Sequence, residues 1–363
     1  MKQPATRLRA RQQGAAILMA MLTVVLVASL ASAALWQQWR AVEVESAERS
    51  RAQSSWVLTG ALDWARLILS EDARKGGADH LSEPWAMPLE QARLSTFLAA
   101  DRSDTLAADA SSNAFLSGQI TDLQARLNLK NLVQDDGKVH APTLRMWQRL
   151  FDQLGLPRST LHRLLTQLLR AQQAGTVVAS NKPMDANADG PLWPQEPEQL
   201  VWLGLDSATL ALLQPHITVL PERTPVNLNT ASGVVLVACL EGLAQSDAQR
   251  LLDARRLAHW ESLDDVKNAA KLPLLTLDAQ LVGTTSRFFA LLGVLQIDDN
   301  TVQEYSVVQR DAMNVKTWWR KRPLHPAYTP SANPISNPPD KVAYNSMSGP
   351  QARTPAPTMT GDF

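Results

Sequence analysis

Polar and apolar positions follow three different periods along this chain. From Ala15 to Trp36 the run is apolar throughout, with Thr23, Ser29 and Ser32 as its polar residues and no charge. At 1.5 Å per residue it is about 30 Å long, the thickness of a bilayer core. The pattern then becomes helical: Val57, Ala61, Trp64 and Ile68 recur at helical spacing, with Leu58, Leu62, Ala65 and Leu69 beside them. Between Trp36 and about Ser70 there is one glycine, Gly60, and no proline. The spacing predicts a single helix from Ala15 to about Ser70, on the order of 80 Å long. Arg40, Glu43, Glu45, Glu48, Arg49 and Arg51 form a mixed-charge, solvated stretch between its two halves.

Residues 76–113 read as loop, with Gly76, Gly77, Pro84 and Pro88, around a short helical stretch at Leu89–Ala100. Ala114–Leu129 alternates in its later part and predicts a strand. From Pro142 to about Val282 the period is helical. Leu144, Trp147, Leu150, Phe151 and Leu154 mark one helix, stopped at Gly155 and Pro157. Leu161, Leu164, Leu165, Leu168 and Leu169 mark the next, stopped at Gly175. Further helices are expected near Ser207–Leu213, Ala231–Leu240, Ser246–Leu257, Ser262–Ala270 and Leu277–Gly283. Phe288–Ile297, the turn Asp298-Asp299-Asn300 and Thr301–Arg310 predict a β-hairpin. Trp318-Trp319-Arg320-Lys321-Arg322 reads as a strand end with a charged stop, and Asp311 as a turn or cap residue. The fold class expected is α+β: a long N-terminal helix, a small antiparallel sheet, and an all-α domain inserted between its strands. The expected boundaries are a basic leader (1–14), a transmembrane part (15–36), the first part of the core (37–133), the inserted domain (134–283), the hairpin (284–322) and a disordered tail rich in Pro, Ser, Asn and Thr (323–363).

Lys plus Arg and Asp plus Glu both number 35, so the net charge is zero. A protein built to coat nucleic acid carries a basic excess, and this one does not. Its one cysteine, Cys239, cannot close an internal disulfide and reads as a small buried hydrophobe. The six histidines are scattered without metal spacing, and no nucleophile elbow, P-loop or His-Glu-x-x-His is present. No enzyme is expected.

The basic tail Lys2, Arg7, Arg9 and Arg11 places residues 1–14 on the cytoplasmic side of a membrane. Ala31-Ser32-Ala33 fits a signal-peptidase site, but the apolar run is longer than a usual signal core and the helical pattern continues past it. A basic leader ending in Gly14, then an apolar helix running into an amphipathic one, resembles a type IV pilin or pseudopilin precursor. The resemblance implies that a prepilin peptidase cuts between Gly14 and Ala15 and methylates the new amine. Most members carry glutamate at the fifth mature position, where this chain has Met19. That glutamate is thought to offset a neighbour's ammonium inside an apolar bundle, so its absence suits a subunit with nothing stacked above it. The absence marks the minor pseudopilin K of type II secretion systems. The segment Gly118–Leu132, with Ile120, Asp122, Arg126, Asn128 and Asn131, resembles the first strand of that type, with one spacing difference at Lys130-Asn131.

Two further motifs carry candidate sites. Thr224–Ala231, Leu240-Glu241-Gly242-Leu243, Ala248–Arg255 and Trp260–Val266 resemble a helix-hairpin-helix unit. Gly242 would form its turn, and Asn229 and Thr230 would cap the following helix. Such hairpins hold phosphates in DNA-binding relatives, but acidic residues here offset the basic ones, which favours a structural hairpin. Asp185, Asn187 and Asp189 before Gly190, with Glu196 at the twelfth loop position, resemble the opening of a calcium loop. Pro191, Pro194 and the missing flanking helices depart from an EF-hand, and a plain polar loop stands as the equal reading. The family resemblance also implies calcium in the helical domain.

The function expected is that of a minor pseudopilin in the bacterial inner membrane, single-pass, with its N-terminus cytoplasmic and its body periplasmic. It would cap the tip of the type II secretion pseudopilus and support export across the outer membrane. The resemblance implies minor pseudopilins I and J, prepilin peptidase and other pseudopilus subunits as partners, with no nucleic acid. The alternatives are a DNA-uptake pseudopilin using the hairpin and a Sec-processed periplasmic interaction protein.

Overall fold

The computed structural model describes residues 13–94, 114–179, 190–271, 277–297 and 300–322. In chain order the elements are α1 (Gln13–Lys75), β1 (Leu89–Arg93), β2 (Ala114–Asp122), β3 (Leu127–Asn128), α2 (Ala141–Gln153), α3 (Arg158–Ala179), α4 (Ser207–Leu213) and β4 (Ile217–Thr218). There follow β5 (Val226–Asn227), α5 (Gly233–Cys239), α6 (Gln245–Leu257), α7 (Leu263–Ala270), β6 (Val282–Gly283), β7 (Phe288–Ile297), β8 (Asn300–Asp311) and β9 (Asn314–Lys321). They form two compact units. The first comprises the described residues of Met1–Gln124, Ala258–Val266 and Gly283–Tyr328, and the second includes Ala125–Leu257 and Lys267–Val282. The mixed fold, with its long apolar N-terminal helix and antiparallel sheet, follows the periodicities.

In the first unit α1 runs unbroken for 63 residues. Every residue from Ala15 to Gln53 is exposed. Beyond that point one face turns inward: Leu58, Leu62 and Leu69 are 0–3% exposed. They pack on a five-stranded antiparallel sheet of order β1-β2-β7-β8-β9. Leu62 and Leu69 join Trp85, Ile120, Phe289, Leu291, Val308 and Val315 in one cluster, while Leu58 joins Leu94, Ala114, Leu116 and Leu295 in another. Gly293 lies under the helix, and a Cβ there would stand 3.2 Å from Leu58 Cδ2, so the missing side chain sets the close helix–sheet spacing. Polar ties reinforce it. Arg66 donates twice to Val315 O (3.0 and 2.6 Å), Ser70 Oγ donates to Met313 O (2.7 Å), and Arg322 links Ser55 to the buried Glu304.

Several local expectations are corrected. Leu89–Arg93 is a strand, not the start of a helix; its pairing with Phe115–Gly118 outweighs the weak preference of so short a helical pattern. The expected helical residues after Leu94 lie outside the described residues. The strand from Ala114 ends at Asp122, well before Leu129, because Asp122 Oδ1 accepts from Gln124 N (2.7 Å) and turns the chain into a 3-10 turn. Helix α3 continues through Gly175 to Ala179, since a mid-helix glycine costs only about 1 kcal/mol. The helix expected at Leu277–Gly283 is absent: Asp278 Oδ1 accepts from Gln280 N, and the chain then enters β6. The expected hairpin gains a third strand, β9, through a turn with Ala312 at φ 50°.

In the second unit α2 packs on α3 and α5, and Trp147, Leu150, Phe151, Leu164 and Leu168 are fully buried. The asparagines of the segment following β2 have a structural part here. Asn128, 1% exposed, donates to Glu222 O and Thr224 Oγ1 and accepts from Lys130 N and Leu220 N. Asn131 closes a reciprocal pair with the backbone of Thr224 (2.6 and 3.0 Å). Each amide thereby satisfies backbone groups that no ladder reaches.

Candidate functional site

The first candidate is α1 itself. Its N-terminal part is long and apolar enough to cross a membrane and is not buried among the described residues. Its polar residues satisfy themselves: Thr23 Oγ1 donates to Ala20 O and Ser29 Oγ to Val25 O, both at 2.8 Å, as an apolar solvent demands. Gly14 falls in the first turn of the helix, and no acidic residue accompanies it there. Met19 is 67% exposed. Trp36 and Trp39 close the apolar stretch, and Arg40 lies over the Trp36 ring (5.5 Å), a pairing suited to a membrane–water boundary.

The second candidate is polar and lies where α1 ends. Arg310, an inward residue of β8, donates to Asp72 Oδ2 of α1 (2.8 Å), to Asp79 Oδ1 (2.5 Å) and to Ser286 O (2.8 Å). Asp79 also accepts from Ser286 N (2.6 Å), and Ser286 Oγ donates to Asp122 Oδ2 (2.6 Å). Glu83 lies alongside, accepting from His80 N and Trp85 Nε1 (both 2.8 Å). Oxygens of Asp72, Asp79 and Glu83 all fall within 4.8 Å of one another. The cation among them is the Arg310 guanidinium. Burial pushes the Asp79 carboxyl up, against Arg310 and the Ser286 amide, which pull it down. Sequence reading missed this cluster. Its one legible signal is a charge at an inward strand position, and the acidic partners of Arg310 lie more than 230 residues earlier.

The third candidate is the turn between α5 and α6. Gly242 sits there at φ +82°, in the left-handed region. Replacing it with alanine is expected to cost about 1–2 kcal/mol, read as a lower urea midpoint. The expected capping by Asn229 and Thr230 is corrected: the N-cap of α5 is Ser232, whose Oγ accepts from Val235 N. Asn229 and Thr230 are buried just upstream in a turn on Asn227, whose Oδ1 takes Asn229 N and whose carbonyl takes Thr230 Oγ1. Arg255 is buried as well, donating to Leu228 O (2.6 Å) and Ala231 O (2.8 Å). Arg250 and Arg256 pair with Asp247 and Asp253 on their own helix. Burial pushes the Cys239 thiol up to about 12, which makes it inert at neutral pH.

Of the calcium-loop residues, Asp185, Asn187 and Asp189 lie outside the described residues. Glu196 precedes the 3-10 turn Pro197–Leu203 as its N-cap.

Comparison with known proteins adds a family. Residues 125–222 and 226–285 match two models described as type II secretion system (T2SS), protein K. The type II secretion system protein K of Pseudomonas aeruginosa is 26% identical over 321 residues, spanning 84% of this chain and 90% of the relative. That of Klebsiella pneumoniae is 28% identical over 329 residues, spanning 83% and 93%. Among solved structures, a chain of the GspK-GspI-GspJ complex from the enterotoxigenic Escherichia coli type 2 secretion system matches with a TM-score of 0.53 at 18% identity. The match covers 77% of this chain and 99% of that one, and it establishes the shared fold. Both family models and the nearly full-length relatives point the same way: over most of its length the chain is similar to type II secretion system protein K.

Proposed function

We propose that this protein is a minor pseudopilin that caps the tip of the type II secretion pseudopilus and so supports export across the outer membrane. The observation that carries the reading is the N-terminal part of α1: an apolar helix that none of the described residues covers, with methionine at the fifth position after Gly14. Such a surface is at rest in a lipid bilayer or in a bundle of like helices. A subunit without an acidic partner for a neighbour's ammonium belongs where no neighbour sits above it. On this reading the leader is cytoplasmic, the body periplasmic and the anchor in the inner membrane. Minor pseudopilins I and J are its neighbours, an assignment supported by the complex in which the matching solved chain occurs. Calcium in the loop Asp185, Asn187, Asp189 and Glu196 belongs to the same proposal.

Mass spectrometry of protein from cells containing a prepilin peptidase tests it. The expected mature chain begins at a methylated Ala15, and substitution of Gly14 by a bulky residue abolishes that product. A chain beginning at Ala34 would instead identify a Sec-processed periplasmic protein. The helix-hairpin-helix reading as a DNA-uptake subunit has less support. The cations of α6 are buried at Arg255 or paired at Arg250 and Arg256, which leaves little for phosphate. Salt-sensitive DNA binding lost on changing Gly242 would reverse that judgement.

A further inference from the structure

We propose that Asp72 and Glu83 form a proton-operated clasp at the base of α1. With one proton held between the two carboxyl groups, the segment Ala78–Met87 is fastened to the helix; loss of that proton loosens it.

The geometry sets up an imbalance. Three carboxyl groups converge within 4.8 Å, and one guanidinium serves them. Arg310 binds Asp72 through Nη1 and Asp79 through Nη2, which matches two carboxylates with a single positive charge. Glu83 is bonded otherwise. Its Oε2 takes the His80 amide and the Trp85 indole, and its carboxyl lies within 4.8 Å of that of Asp72. Two full charges so close in a partly buried site repel, and a proton taken up by one of the two carboxyl groups relieves that repulsion. The segment that Glu83 organises is short and central. Trp85, 1% exposed, is its anchor in the core and meets Phe289 edge-on, with ring centroids 5.1 Å apart. A change at Glu83 therefore reaches the packing between α1 and the sheet.

The other charged groups around Glu83 are His80 on its own segment and, on α1, Glu71 and Lys75, which line the same cleft as Asp72, Pro84 and Trp85. From residues 258–266, His259 stacks on His80 (centroids 3.6 Å) and bonds to Glu261. Burial, with the neighbouring Asp72, pushes Glu83 up to about 7, and the His80 amide and Trp85 indole oppose the rise. A raised acid contributes stability that is complete below its unfolded value and is lost as pH rises through about 7. His80 runs the other way. Burial, then His259, lower it, so its contribution is present above the ordinary histidine value and fades as pH falls.

Hydrogen exchange of the full chain in detergent micelles, followed by mass spectrometry and corrected for intrinsic rates, tests the clasp. For peptides covering Ala78–Met87, opening is expected to increase several-fold, at most about tenfold, between pH 6 and pH 8. E83Q, a permanent stand-in for the protonated acid, is expected to abolish that increase and to be as protected at pH 8 as the parent at pH 6. D72N is expected to move the increase to lower pH by removing the repelling carboxylate. Peptides from β7 and β8 serve as the internal control for folding. An equal increase in E83Q with those control peptides unchanged would overturn the proposal, as would a parent chain with no pH dependence in this segment.

Discussion

R310A is expected to destabilise the first unit by about 3–5 kcal/mol, the largest single effect in the molecule. The side chains of Arg310, Asp72 and Asp79 are 10%, 10% and 4% exposed, so removing the cation takes the counter-charge from two desolvated carboxylates. The Ser286 carbonyl loses a donor as well. A urea titration of the full chain in detergent measures the loss, with a midpoint lower by roughly 1–3 M. R310K should fall between the two, because a lysine presents one point charge where the guanidinium reaches three acceptors at once. The deficit also has a pH signature. Without Arg310 the Asp79 carboxyl rises further, so the variant loses most at high pH and recovers as pH falls and a proton replaces the cation. A deficit under 1 kcal/mol, or one independent of pH, would mean that the network does not hold the helix to the sheet.

The second large effect is expected at Arg255. Among the described residues this buried guanidinium has no acidic partner and is held by two carbonyls, those of Leu228 and Ala231. Burial, reinforced by the neighbouring Arg256, pulls its pKa down to about 10, still far above neutrality. R255A orphans both carbonyls, at about 1–3 kcal/mol for each, and recovers part of that by removing a desolvated charge. A net loss of about 2–4 kcal/mol is expected, with a fall in Tm of roughly 5–10 °C for a unit of this size. The damage should be local first. The turn Asn227–Ser232 leads into α5, so its amides should lose exchange protection before those of α2. Protection lost uniformly across the second unit would show that Arg255 supports the whole unit and not this turn.

Much of this chain was legible because its signals are local. The apolar run of α1, the stripe Leu58, Leu62 and Leu69, and the β7–β8 hairpin around Asp298-Asp299-Asn300 each lie within one stretch of sequence. Periodicity reports burial directly in such stretches. The helices α2, α4 and α6 came out within a residue or two of their expected bounds for the same reason. The proposed processing site is local in the same way: Gly14, Ala15 and Met19 are sequence neighbours, read together or not at all.

What failed was whatever depends on a distant partner. Leu89–Arg93 became a strand because Phe115–Gly118 offers it a ladder, and nothing inside the segment says so. Strand β9 was legible at its end, Trp318–Lys321, but not at its start, because the turn of Ala312 and Met313 before it has neither glycine nor asparagine to announce it. β8 hid its inward charges because both of its faces are buried: Glu304 and Arg310 sit among residues that read as a plain alternation.

By itself, then, the sequence determined the long apolar helix, the apolar faces and the order of the helices, since each is set by side chains a few residues apart. Only the tertiary structure decided where α1 is fastened. The charges that fasten it come from opposite ends of the chain, and a buried ion pair leaves no periodic trace in either end.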